Sequence, residues 1–331
     1  MGVRSIFAAA TAVLLSGLTS ASAATKWDFY SFVGVTHPIG QQLVEFADEV
    51  RKRTNGELVI TVRPAGEFPF KPNEVVKITG DGHVQLGAAL ALFTTGSVPL
   101  VGVTGLPLFL RTEEEMSKAM PIIQKHTAKD FEKAGTKVLF QFLWPNLNLF
   151  GSGKPIHSVD QFAGRKFRTL SPQQAELMKR LGAAAVSMTN PEVPVALERG
   201  TVEGLLTTAF NMVGSKWADL VKWAYMADFH GADDYIIVNL SAYNKLTPDV
   251  RKVLDEVAAE WGPKMTKANL SADEGSLETL RTKHKIEVIR ASKEDTDLML
   301  SKVKDYWEAW AKQNGPEAAA MLDEIRRAVG K

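Results

Sequence analysis

The chain has 331 residues, 45% of them hydrophobic and 23% charged, with a formal net charge of +1. That length suits two domains, and the near-neutral balance gives no reason to expect nucleic acid or an anionic membrane surface as a partner. Cysteine is absent, which excludes disulfides, thiolate metal sites and cysteine nucleophiles, so an exported chain of this kind must be held by the size of its core alone.

Residues 1–24 read as a signal peptide. Arg4 supplies the positive start, Ile6 to Leu18 the apolar run, and Ala21-Ser22-Ala23-Ala24 the small residues before a cut after Ala23 or Ala24. No Cys follows that run, so no lipid anchor is expected. No later stretch approaches the 18 apolar residues of a membrane span, and the expectation is a soluble protein in the periplasm.

After the signal, Trp27–Phe32 alternates as a strand. Pro38–Asn55 carries Ile39, Leu43, Phe46, Ala47 and Val50 on one helical face and ends at Gly56. Glu57–Pro64 is a second strand, Pro72–Thr79 a helix and His83–Ala88 a third strand, an order that argues a parallel α/β domain. Thr112-Glu113-Glu114-Glu115 matches a capping box and opens a helix to about Ala134, with Pro121 expected to kink or split it. Strands are expected at Thr136–Leu143, Lys166–Leu170, Ala183–Met188 and Tyr235–Leu240, with helices at Pro172–Leu181, Val193–Arg199 and Asn211–Trp223. From Thr247 a helical pattern runs to about Lys285, with a kink expected at Gly262-Pro263. At that length it could serve as a beam against two domains. Ile286–Ile289 is a late strand and the rest is helical.

Sequence signatures of catalysis are missing: there is no G-x-S-x-G, H-E-x-x-H, Walker A or G-x-G-x-x-G. Gly151-Ser152-Gly153-Lys154-Pro155 imitates a phosphate loop but has Pro where a magnesium-binding Ser or Thr belongs. The six histidines are scattered without ligand spacing. No catalytic residue, metal or cofactor is expected. In the stretch from Lys154 to Leu206, Lys166-Phe167-Arg168 enters a strand after the Gly164 turn. Arg168 then stands near the carboxyl end of its strand, where α/β sheets meet ligands, and its planar fork matches a carboxylate. Spacing alone leaves open a surface arginine in an ordinary salt bridge.

Gly164-Arg165-Lys166-Phe167-Arg168 resembles the G-x-K-[ILF]-R segment of the extracytoplasmic solute-binding proteins of TRAP transporters, the DctP family. Ala196 to Gly204 resembles their A-L-x-x-G-x-V-D-G segment, and Gly66-Glu67-Phe68 stands where they have G-x-L. Pro99 and Gly105–Leu110 resemble their P…L-P-F-L-F stretch, and Tyr243–Pro248 the opening of their long helix.

The resemblance implies an α/β, two-domain, periplasmic-binding-protein-like (class II type) fold with an interdomain ligand cleft and a long domain-spanning helix. The division expected is 25–145 plus about 233–270, against 146–232 plus about 271–331. It implies capture of a small organic anion, with Arg168 pairing its carboxylate, and delivery to the small and large integral membrane subunits. A monomer without enzymatic activity is expected.

Departures from the family pattern set the remaining expected contacts. Asn148 stands where many members have a second arginine, Thr207 near an amide that often touches ligand, and Asn190 in the stretch where an aromatic is common. Leu90 and Phe93 follow a strand of the first domain, and Trp144 precedes Asn148. One arginine among Trp144, Phe93 and Leu90 suits a monocarboxylate with an apolar or aromatic body, although Trp144 and Phe93 could equally be core. His37, Lys71 or Arg165 could supply a second positive charge. The rival readings are a binding protein of an ABC importer or a sensor, and a periplasmic hydrolase or lyase.

Overall fold

Two long strands that cross the whole sheet organise this computed structural model, which describes residues 24–64 and 66–331. Residues 1–23 of the expected export signal lie outside the described residues. The chain opens with β1 (Thr25–Ser31), α1 (Pro38–Arg53) and β2 (Leu58–Pro64). His37 caps α1, accepting the Ile39 N–H on Nδ1 at 3.1 Å. Ile39, Leu43, Phe46, Ala47 and Val50 are buried, the face that the spacing selects, while Arg51, Lys52 and Arg53 complement the helix dipole in the last turn. Next come α2 (Val75–Gly80), β3 (Leu86–Leu90), α3 (Ala91–Thr94) and α4 (Glu113–Lys133). Thr112 caps α4, but the Glu115 carboxylate takes the N–H of Arg111 at 2.8 Å instead of closing the box, and Pro121 sits inside one unbroken helix.

The chain continues through β4 (Thr136–Gly151), β5 (Lys166–Thr169), α5 (Pro172–Arg180), β6 (Ala184–Ser187), α6 (Val193–Glu198), β7 (Gly204–Thr207) and α7 (Ala209–Gly214). It ends with β8 (Trp223–Asn239), α8 (Leu240–Lys245), α9 (Pro248–Thr282), β9 (Glu287–Arg290), α10 (Lys293–Asn314) and α11 (Pro316–Val329). The sheet order is β2-β1-β3-β8-β4-β7-β5-β6, with β9 beside β8.

The first three strands pair parallel, as their order implies, while the sheet as a whole is mixed, because β8 runs antiparallel to both β3 and β4, and β4 antiparallel to β7. Two expectations are corrected. The strand expected over Thr136–Leu143 is twice as long, and the one expected over Tyr235–Leu240 is nearly three times as long. Pro145 and the two asparagines after Trp144 imitate a loop, but they fall where the β4–β8 register shifts between Trp144, Leu147 and Leu149, so a residue without an N–H is tolerated there. The helix expected over Asn211–Trp223 stops at Gly214. Lys216 takes a left-handed φ of 59°, which ends the helix in the manner more usual for glycine.

The core divides across the long strands. One cluster joins β1, β3, α1 and α4 to the distal ends of β4 and β8 and to Val250, Leu254, Val257 and Met265 of α9. Two further clusters lie on the faces of the sheet half made by β5, β6, β7 and β9. We refer to these halves as the first and second lobes. Leu280 belongs to a second-lobe cluster, so α9 does run along both. The final segment departs from the expected division: Met299 and Val303 of α10 pack in the second lobe, whereas Trp307, Trp310 and the Ala318, Met321, Leu322 and Ile325 face of α11 pack in the first.

Candidate functional site

Arg168 is the penultimate residue of β5 and is only 1% exposed. Its Nε donates to the Met188 carbonyl at 3.1 Å and its Nη2 to Asn190 Oδ1 at 2.7 Å. Both acceptors are neutral, and among the described residues Nη1 has no protein partner. Burial pushes the guanidinium down to about 9, with the more distant Glu192 acting in the opposite direction. A buried cation answered only by neutral oxygens is a costly arrangement unless an anion completes it. Asn190 is held in place by the short turn that it opens, where Glu192 accepts from the Thr189 N–H at 2.7 Å and the Thr189 hydroxyl at 2.6 Å.

Arg168 and Asn190 face a small cavity of about 30 Å³ between the lobes. Thr207, Thr208 and Asn211 join them from the second lobe. Thr207 ends β7, and Thr208 caps α7 by accepting the Asn211 N–H at 2.9 Å. Asn211 donates back to the Thr207 hydroxyl at 2.9 Å, so three polar side chains form one braced unit. The first lobe contributes apolar walls, among them Phe32, Leu90, Leu92 and Trp144. The arrangement is a cation and a few fixed dipoles on one side and hydrocarbon on the other, which can bind and orient a small anion.

Of the residues expected from sequence, the structure brings Arg168, Asn190, Thr207, Trp144 and Leu90 together on this cavity. Three stand elsewhere. Asn148 is 2% exposed, and its Oδ1 is taken by two backbone N–H groups of β8. Phe93 supports the wall from behind, with its ring edge-on to Phe32 at 5.6 Å. His37 lies on the outer cleft beside Asn190 and Phe32, packed 6.0 Å from Trp144 and 5.6 Å from Phe210. Burial pushes its imidazole down to about 4, so it is neutral at pH 7 and brings no charge. Arg165 is engaged by Glu203 at 2.9 Å, and Lys71 is exposed and outside the cavity. Sequence reasoning missed Phe32, Leu92, Leu147, Leu170, Thr208 and Asn211. The Thr208 to Asn211 interval is the spacing of an N-cap, a signal that the over-long helix drawn there concealed.

Among the described residues no helix is long and apolar enough to cross a membrane, and no group of His, Asp or Glu side chains is arranged to hold a metal.

Residues 29–314 match the family described as bacterial extracellular solute-binding protein, family 7 (DctP), and the chain belongs to that family. The C4-dicarboxylate-binding periplasmic protein DctP of Rhodobacter capsulatus is 29% identical over 242 residues, 70% of each chain. YiiZ of Salmonella typhimurium, an uncharacterised protein, is 23% identical over 283 residues, covering 80% of this chain and 84% of its own. In structure, a Bordetella pertussis extracytoplasmic solute receptor binding pyroglutamic acid superimposes with a TM-score of 0.86 at 23% identity, covering 92% of this chain and all of the other. A TRAP solute-binding protein of Rhodoferax ferrireducens in complex with benzoate gives 0.85 at 21% identity, covering 93% and 98%.

Proposed function

We propose that this family 7 chain captures a small monocarboxylate with an apolar or aromatic body in the cleft between its lobes, outside the cytoplasmic membrane. It then delivers the ligand to the small and large membrane subunits of a TRAP transporter. The observation that carries the reading is Arg168: a buried guanidinium with no ion-pair partner among the described residues, facing a cavity whose other wall is hydrocarbon. A carboxylate can take the fork and an apolar body the opposite wall. Pyroglutamate and benzoate, the ligands of two structural relatives, are both small monocarboxylates, and benzoate has the aromatic body. The lobes, joined by β4, β8 and α9, close on the ligand, and closure is the signal that the membrane subunits read.

A thermal-shift screen of the mature protein over small carboxylates tests this, because a ligand that binds only the folded state raises its stability by RT ln(1 + [L]/Kd). Aromatic and branched monocarboxylates should give the largest shifts. Shifts confined to neutral sugars or to cations would end the reading.

A further inference from the structure

Behind the apolar wall of the cavity stands a carboxyl group that the binding reading does not use. Asp234 of β8 lies opposite Leu90 of β3 and Phe142 of β4, two residues from Ala232. Leu90 and Ala232 both line the cavity, so the Asp234 side chain stands on the same sheet face as theirs. It is fully buried, and among the described residues neither of its oxygens has a hydrogen-bond partner.

Trp144, directly across from Ala232, also lines the cavity, yet its indole nitrogen is buried and likewise without a partner. The ring therefore shows carbon to the cavity and turns its N–H away. Burial and the neighbouring Asp233 push the Asp234 acid up, and Trp144 is the side chain that pulls it back down. Phe142 faces Asp234 and Trp144 faces Ala232 across the ladder, so the orphaned donor and the orphaned acceptor are diagonal neighbours behind the wall. The aromatic neighbours of Trp144, which are Phe32 at 6.1 Å, His37 at 6.0 Å and Phe210 at 5.9 Å, confine the ring but do not decide where its N–H points.

We propose that Asp234 is a positioning residue that receives the Trp144 indole N–H and so holds the ring's carbon surface toward the ligand, making Trp144 the specificity wall of the cavity. The proposal rests on the carboxylate-binding reading only for the ligand; the tether itself is a property of the chain. The ligands that profit are those whose body reaches Trp144. An acid too short to do so engages Arg168 alone.

The test compares Asp234→Asn, which keeps an acceptor, with Asp234→Leu, which removes it at similar size. Calorimetry with benzoate and with lactate reads the wall and the Arg168 end separately. Asp234→Leu should weaken benzoate at least tenfold, Asp234→Asn should stay within threefold of the wild type, and lactate should change less than threefold in either. An equal loss of both acids in Asp234→Leu, or no loss of benzoate, overturns the proposal.

A second measurement needs no ligand. In the full chain labelled with 5-fluorotryptophan, the fluorine resonance absent from Trp144→Phe identifies Trp144. That resonance should shift or broaden in Asp234→Leu and hold its place in Asp234→Asn; an unmoved resonance in Asp234→Leu overturns the tether. If the wild type binds neither acid, the carboxylate reading fails, and the fluorine result alone decides the role of Asp234.

Discussion

Asn148 grips Asp228 at both ends: its Oδ1 accepts the Asp228 N–H at 2.7 Å, and its Nδ2 donates to the Asp228 carboxylate at 3.2 Å. The same Oδ1 takes the Ala227 N–H at 2.7 Å. Asp228 has a left-handed φ of 48°, a conformation that leaves its strand's N–H groups without ladder partners, and Asn148 supplies the acceptor. The residue expected to stand in place of a second ligand arginine is a fastener between β4 and β8, where they pass from one lobe to the other.

Asn148→Ala should therefore act on stability. It orphans two backbone donors, at about 1–3 kcal/mol each when buried, so denaturant unfolding should show a loss of roughly 2–6 kcal/mol. A loss under about 1 kcal/mol would mean that water or a neighbouring oxygen replaces the amide.

Arg168→Met should abolish carboxylate binding. Breaking one side of a buried charge pair typically costs about 3–5 kcal/mol, at least two decades of affinity. Without ligand, the variant should melt no lower than the wild type, since it removes a buried charge that no carboxylate answers. Affinity within threefold of the wild type would take Arg168 out of the site.

Alternation places Arg168 near the carboxyl end of its strand, but only the family resemblance marks it, with Thr207 and Asn190, as a candidate contact, and the three do share the cavity. Trp144 and Leu90 were legible as apolar groups near that edge. Asn148 was misread because its pairing opposite Thr207 does bring it near the site, while the feature that claims its side chain is the backbone kink at Asp228, eighty residues away. Periodicity carries no information about such a kink. Nor does it reveal β8 as one strand. His230, Asp233 and Asp234 are buried polar residues along it, and they break the alternation by which a strand is recognised. The end of α10 and α11 pack in the first lobe rather than the second for a similar reason: an amphipathic face shows that a helix packs, not against what.

His37 gives a signed dependence on pH. Its folded-state value of about 4 lies below the ordinary histidine value of 6.5, so the unfolded chain binds an extra proton between those values and stability falls as pH drops through that window. His230, also pushed down to about 4 by burial, adds to this fall. Asp233 and Asp273, raised to about 6 by burial, oppose it between about pH 4 and 6. The wild-type curve is the sum, but the difference between the wild type and His37→Asn isolates one group, because Asn can still cap α1. Stability measured from pH 7 to 4 should fall less steeply in His37→Asn, by close to one proton. Parallel curves would show that His37 reaches water.

Monocarboxylates should bind more tightly than dicarboxylates of similar size. The cavity has one guanidinium, and the other cations considered are engaged, exposed or neutral. A second carboxylate would be buried without a partner, at several kcal/mol, whereas an apolar group would gain about 1.5–3 kcal/mol against the Trp144 and Leu90 wall. Calorimetry with benzoate and with succinate compares them directly, and tighter binding of succinate contradicts this account.

Phe210 sits on α7, between the two residues of that segment that line the cavity, Thr208 and Asn211, yet its own side chain is buried in the core of the first lobe beside Trp144 and His37. Parting the lobes must draw that ring out of its socket before a ligand can leave. Exposing a Phe forfeits about 1.5–3 kcal/mol, and whatever part of that is lost before the crest of the opening barrier slows escape, by up to roughly a hundredfold. How long a ligand stays is then governed in part by a side chain that never touches it, and because burying that ring also favours the closed form, the same side chain contributes to how tightly the ligand is held.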